Sequence, residues 1–489
     1  MKTDTADWLK QAMAAFGSGQ LERTAKLCSE IIDKEPDFHP AWQLAGAVAL
    51  TAEDFELAMS HLAKAVSLAP DLADYHNNLG IAQRRVERLE DALASYLEAQ
   101  RLEPDRAAFC SNLGDVYVEL EQWEQAQEAF ERALSLEPTH RDAKFNLANL
   151  MRDVGRLKKA VGLYTDLLVQ SPDDPEIHWN LGLTQLLADD YLSGFESYGW
   201  REKLAHVPSI TGLTGVPRWQ GQSIEGRMIC LTAEQGFGDS LQMVRFARQL
   251  SDAGARVVVR VPSRLVKLVS HASDVAQVFS ERDRIEGCDY WVPMMSVPDI
   301  LGLGFDDVQV EEAYILLPRL NLPELSDVFE EAAGLRVAIN WQGDPRFVHD
   351  HYRSFAFETL EPIWQLSGVS VWSVQKGHGE DSREALLKHP SVTALGHQLD
   401  LGEDGFLETA EVLRRSDLLI TSDTAVAHLA GALGLEVWLM ASMRPDWRWG
   451  THRSRSIWYP TMRIFRQQEL GNWAGVVSDI CEELEKRVG

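Results

Sequence analysis

The chain has 489 residues, with 47 basic side chains against 74 acidic ones and a formal net charge of −27. That length exceeds a single hydrophobic core and suits two or three domains. The charge argues against a nucleic-acid partner, because such binding depends on neutralising phosphates. No run of about 18 apolar residues occurs, so no membrane span is expected. Met1 to Lys10 lack a signal-peptide core. The five scattered cysteines (Cys28, Cys110, Cys230, Cys288, Cys481) have no metal spacing, as expected of free thiols in the cytoplasm.

From the N-terminus, prolines recur at Pro36, Pro70, Pro104, Pro138 and Pro172, a step of 34 residues. Gly46, Gly80, Gly114, Ala148 and Gly182 keep the same step, as do Ala58, Ala92, Ala126 and Ala160. This is the tetratricopeptide period, a pair of helices that buries its apolar face only by stacking on its neighbours. Residues 1–205 are therefore predicted to form an α-helical superhelix of about six repeats, starting near residues 5, 39, 73, 107, 141 and 175, with a protein as partner. Glycine inside a helix costs about 1 kcal/mol against alanine, so its recurrence implies that the second helix of each pair packs too close for a Cβ.

Asn78, Asn112, Asn146 and Asn180 also fall at one repeat position. A helix interior disfavours asparagine, and amides at this spacing could grip an extended acceptor backbone. They could equally be polar positions tolerated by each copy of the repeat. The asparagine row resembles that of the O-GlcNAc transferase superhelix, which implies acceptor binding on the concave face. The last repeat is degenerate over Tyr191 to Trp200, and 206–222, rich in Gly and Pro, reads as a linker.

Beyond it the pattern changes to short β-rich runs alternating with helical stretches, at 228–231, 257–261, 336–340, 370–374, 418–420 and 437–439. This predicts an α/β half of two doubly wound, Rossmann-like domains at 223–325 and 326–489, with 321–334 as the bridge. Four clusters lie at strand ends, where such folds bind ligands. One is Ala233–Ser240, with Gln235, Gly236, Gly238 and Asp239. The next two are 340–344 with Arg353 and Ser354, and 373–377 with Lys376. The fourth is 417–434, where Asp423, Thr424 and Ala425 lead into a small-residue helix carrying His428. Glycines admit close ligand approach, and helix N-termini favour anions. Each residue also has an ordinary reading: Asp239 as an N-cap, Arg353 as a surface arginine, His428 as a structural histidine. No Asp-x-Asp, phosphate loop or metal-ligand array is present in the sequence.

The strings at 233–240, 341–345 with 353–354, 422–434, and 445–450 with 456–460 resemble the GT-B glycosyltransferases of the heptosyltransferase type, in the branch that follows tetratricopeptide repeats in bacteria. The whole chain resembles repeat-linked flagellin glycosyltransferases. This resemblance implies an inverting, metal-independent transfer of sugar to Ser or Thr of an acceptor such as flagellin. The donor would be a nucleotide sugar, possibly a CMP-nonulosonic acid, and no cofactor or metal would be needed. Asp239 would be the general base, with His428 the competing candidate. Gln235, Gly236, Gly238, Arg353, Lys376, Asp423, Thr424 and Ala425 would bind the donor. The alternatives are a heptosyltransferase-like enzyme acting on a non-protein glycan, and a non-catalytic repeat scaffold or chaperone.

Overall fold

A computed structural model describes all residues except 1–4, 206, 208–211, 309–312, 348, 380–388 and 489. The expected linker at 206–222 thus lies partly outside the described residues. The chain divides into two compact units, Met1–Ile177 and His178–Gly489. The division falls inside the last repeat rather than after residue 205.

The first unit is a row of helix pairs: α1 (Thr5–Gly17) and α2 (Leu21–Lys34), α3 (His39–Thr51) and α4 (Phe55–Leu68), α5 (Ala73–Arg85) and α6 (Leu89–Leu102), α7 (Ala107–Glu119) and α8 (Trp123–Leu136), α9 (Arg141–Asp153) and α10 (Leu157–Gln170). A sixth pair, α11 (Pro175–Leu187) and α12 (Tyr191–Tyr198), continues the register. The first helix of each pair begins at residues 5, 39, 73, 107, 141 and 175, which are the starts set by the proline step. At two of the junctions a ring nitrogen one turn into the next pair meets the proline carbonyl: Trp42 Nε1 donates to Pro36 at 2.8 Å, and His76 Nε2 lies 2.7 Å from the Pro70 oxygen.

The recurrent glycines mark close approach. A Cβ on Gly80 would sit 2.7 Å from the buried Tyr96 ring, and one on Gly114 would meet Phe130. In the sixth pair the neighbour is backbone, with a Gly182 Cβ only 2.5 Å from the Tyr198 nitrogen.

A second period escaped the sequence reading. The turns between paired helices place Gly19, Glu53, Glu87, Glu121, Gly155 and Asp189 at positive φ, again 34 residues apart. Each turn closes with an N–H bonded back five residues, as in Asp54 to Ala49 and Arg88 to Gln83. The left-handed region costs an ordinary residue about 1–2 kcal/mol, and glycine's extra unfolded freedom offsets about half of that. Changing Glu53, Glu87 and Glu121 together to glycine is therefore expected to raise the melting temperature by about 3–6 °C, read by calorimetry. A fall would mean that these carboxylates hold the turns.

The second unit contains two parallel sheets. The smaller runs β3-β2-β1-β4, from β1 (Met228–Thr232), β2 (Arg256–Val261), β3 (Gln277–Ser280) and β4 (Tyr290–Pro293). The larger runs β10-β9-β8-β5-β6-β7, from β5 (Leu335–Asn340), β6 (Val369–Ser373), β7 (Val392–Ala394), β8 (Leu418–Ser422), β9 (Val437–Ala441) and β10 (Met462–Arg466). Its core joins Val337, Ile339, Val371, Ile420 and Trp438 to Ile480 and Leu484 of the final helix. The strand order reverses between β5 and β8, the place where a doubly wound sheet opens a crevice. No described helix is long and apolar enough to cross a membrane.

Candidate functional site

The crevice of the larger sheet is closed by hydroxyl bonds. Thr424 Oγ1 donates to Asn340 Oδ1 at 2.9 Å, and Thr421 Oγ1 to the same oxygen at 3.2 Å, tying the ends of β8 and β5 together. The Asn340 amide passes to Gln375 Oε1 at 2.8 Å. Thr424 thus spends its side chain on the fold, and its carbonyl accepts the Ala427 N–H at 3.0 Å in the first turn of the Ala425–Ala432 helix. Among the other expected donor ligands, Lys376 is already engaged by the protein itself. Its ammonium is bonded to the carbonyls of Leu399 and Asp400, the latter at 2.8 Å, and braces that loop.

The glycine turn after β1 meets this helix. A Cβ on Gly238 would lie 2.8 Å from His428 Cδ2 and 3.6 Å from Ala425 Cα, so only glycine fits without displacing the imidazole. The Phe237–Met243 helix therefore starts against the first turn of the Ala425–Ala432 helix, and β1 and β8 deliver their ends to one place.

Between them lies a charged cluster. Gly236, not Asp239, is the N-cap of the Phe237–Met243 helix; from the third helical position Asp239 Oδ2 reaches back to accept the Gly236 N–H at 2.9 Å, while Oδ1 accepts Arg448 Nη2 at 2.5 Å. Arg448 also reaches Asp446 Oδ1 at 2.9 Å and Gln242, and packs over Trp447. Burial raises the Asp239 pKa against the pull of Arg448. Asp423, beside Asp446, is pushed up to about 6, first by burial and then by that like charge, with Arg353 opposing. Arg353 itself is bonded to Asp350 at 2.9 Å and covers Phe347.

His428 is buried, its Nδ1 2.8 Å from the Tyr459 hydroxyl. Burial, with Arg448, Arg245 and Arg353 nearby, holds the imidazole well below its usual pKa, so it is neutral at pH 7. Gln235 Nε2 donates to Tyr198 Oη at 2.8 Å. The structure thus brings together Gly236, Gly238, Asp239, Asp423, Ala425 and His428. It adds Arg448, Asp446 and Tyr459, which were given no role in the sequence and whose signal was the Pro-Asp-Trp-Arg-Trp-Gly string and its Tyr-Pro companion, and Asn340, which stood at the head of the 340–344 strand-end cluster.

The asparagine row is corrected in part. Asn112 donates to Asn77 Oδ1 at 2.7 Å, and Asn146 to Asp115 Oδ1 at 2.6 Å, each across to the preceding repeat. Asn180 is buried, and Asn78 accepts from Asn77 at 3.4 Å. Two of the four amides thus clamp neighbouring repeats together, because a half-buried amide between stacked helices must find a partner there.

Comparison with known proteins bears chiefly on the repeats. The chain is 23% identical over 378 residues to protein FlbA of Caulobacter vibrioides, an alignment covering 70% of this chain and 61% of that protein, so it spans under two thirds of its relative's length. Among solved structures, Pseudomonas aeruginosa PilF matches with a TM-score of 0.37 at 23% identity, covering 41% of this chain and 90% of that one. A thermophilic repeat protein of Thermus thermophilus matches with a TM-score of 0.33 at 22% identity, covering 37% and 100%. The family model of the tetratricopeptide repeat matches residues 111–175, so the helix pairs within that span are tetratricopeptide repeats, and the pairs before it keep the same 34-residue step.

Proposed function

We propose that this protein is a glycosyltransferase that moves a sugar from a nucleotide-activated donor to a Ser or Thr hydroxyl of a protein held by its repeats. Flagellin is the proposed acceptor and a CMP-nonulosonic acid the proposed donor. One observation carries the reading: the glycine turn after β1 meets the first turn of the helix after β8 at the switch point of a doubly wound sheet, with Asp239, Arg448, Asp423 and His428 gathered there. A nucleotide phosphate suits the N–H groups at Ala425 and the Arg448 guanidinium. As the glycosidic bond to phosphate breaks, negative charge grows on the leaving oxygen, and cations already in place lower that barrier.

Asp239 is the proposed base. It takes the acceptor proton once donor phosphate draws Arg448 away, since both carboxylate oxygens are otherwise engaged. Neutral His428, steadied by Tyr459, lines the same turn and is the second candidate. The closed Asp239–Arg448 pair also favours a second reading, a repeat scaffold that binds protein without catalysis.

A panel of CMP, UDP, GDP and ADP decides between them by thermal shift, because a ligand of the native state alone raises its apparent stability. A selective rise with CMP, followed by a mass increase of flagellin in the presence of a CMP-sugar, is the expected result. No response to any nucleotide would leave the scaffold.

A further inference from the structure

Within the second unit, α12 and the turn after it are bonded to the segments that carry the candidate site. Arg201, in the turn after α12, is 1% exposed. It forks onto Glu234, Nη2 to Oε1 at 2.7 Å and Nε to Oε2 at 3.0 Å, and also reaches Ser296 Oγ at 2.9 Å. Glu234 takes a further bond from the Met295 N–H at 3.0 Å. One residue on, Gln235 is held by Tyr198 of α12 itself. These two residues immediately precede Gly236, whose N–H donates to Asp239 Oδ2.

The same helix grips the other arm of the cluster. Tyr191 and Phe195 stand edge-on to Trp447, with ring centroids 6.1 and 5.9 Å away, and Trp447 is the neighbour of Arg448 in the chain. Just ahead of α12, Asp189 accepts Arg453 Nη1 at 2.5 Å, and Arg453 donates in turn to the Arg448 carbonyl at 3.4 Å.

We propose that α12 and the turn after it set the distance between Asp239 and Arg448, with Tyr198 and Arg201 as positioning residues for the site. The inference rests on the reading of this cluster as catalytic for its kinetic consequence only; its structural content stands apart. A buried fork is a stiff joint, because removing either partner leaves an uncompensated charge. A single helix bonded to both arms passes its own position to each of them.

The test is Tyr198→Phe in the full chain, which deletes one hydroxyl and keeps the ring. Expected is faster amide hydrogen exchange over 233–239, by about five- to tenfold, with β8 and β9 unchanged. Expected alongside is a fall in kcat of the same size with little change in KM for the donor. Tyr198→Phe should add nothing in a Gln235→Ala background, since both remove one bond; additive losses would show general destabilisation instead and overturn the proposal. Arg201→Lys, which keeps the charge without the fork, should also loosen 233–239. Unchanged exchange in both variants overturns the positioning role whether or not sugar transfer is observed. Absent transfer with loosened exchange overturns only the catalytic reading.

Discussion

Replacing Arg448 by methionine is expected to abolish sugar transfer and to lower stability by about 3 kcal/mol at neutral pH. The guanidinium is 7% exposed and is bonded to two carboxylates that are not bonded to each other. Its removal leaves Asp239, Asp446 and, at longer range, Asp423 without their shared cation, and breaking such a group from one side costs about 3–5 kcal/mol. The lower end applies because Asp239 and Asp446 keep 24% and 35% of their side-chain surface, so water takes over part of the work. The pH dependence separates charge from packing. Burial already holds the Asp239 and Asp423 carboxyls above the ordinary range while Arg448 pulls them down; without Arg448 they rise further, so the folded variant binds protons more readily than the unfolded chain. Its penalty is then fully present at pH 7.5 and shrinks as pH falls through the raised values towards 4. Urea titrations of both proteins at pH 5 and 7.5 provide the check. An equal loss at the two values would show that methionine merely packs badly against Trp447. Arg448→Lys, a single point charge without the fork, should recover part of the stability but little activity.

The repeats were legible because their signals are local. Proline cannot continue the preceding helix, and glycine is wanted where the second helix crowds the first, so a fixed step in both gives the start of the first helix in each pair. The left-handed turns were hidden by Glu53, Glu87 and Glu121, which no turn rule favours; only Gly19 and Gly155 in the same register hinted at them. Six strands were readable from their buried β-branched runs. The four not read were β3, β4, β7 and β10. β4 is Tyr-Trp-Val-Pro, ending in a residue that resists strands, and in β10 Arg463 and Arg466 interrupt the buried Met462, Ile464 and Phe465, leaving neither a clean alternation nor an apolar run. β3 and β7 lie at the sheet edges and have only four and three residues. Asp239, Asp423 and His428 were legible as strand-end residues. Arg448 was not, since its partner Asp239 is 209 residues earlier in the chain and only the packed sheets bring the two together. Lys376 shows the converse: a basic residue at a strand end, yet one whose ammonium is bonded to backbone carbonyls.

Asp423→Asn is expected to stabilise the protein at pH 8 while removing donor binding. The Asp423 carboxyl has its pKa raised to about 6 by burial and by Asp446, against about 3.9 for a free aspartate. Between those values the folded chain holds the proton more tightly than the unfolded one, so stability falls as pH rises from about 4 to 6 and stays reduced above. A shift of roughly two units corresponds to about 3 kcal/mol. The residue is only partly buried, and Arg353 loses a countercharge in the variant, so a gain of about 1–2 kcal/mol is the working figure. An amide of the same shape carries no charge to be desolvated, so the gain should appear at pH 8 and vanish at pH 4. Thermal melts of both proteins across that range measure it directly. A variant destabilised equally at both ends would show that the carboxylate is a structural tie, as Asp350 is for Arg353. A gain confined to high pH, with loss of the CMP-induced shift, would mark a carboxyl kept charged at a cost in stability, which is what a residue selected for its ligand and not for the fold should show.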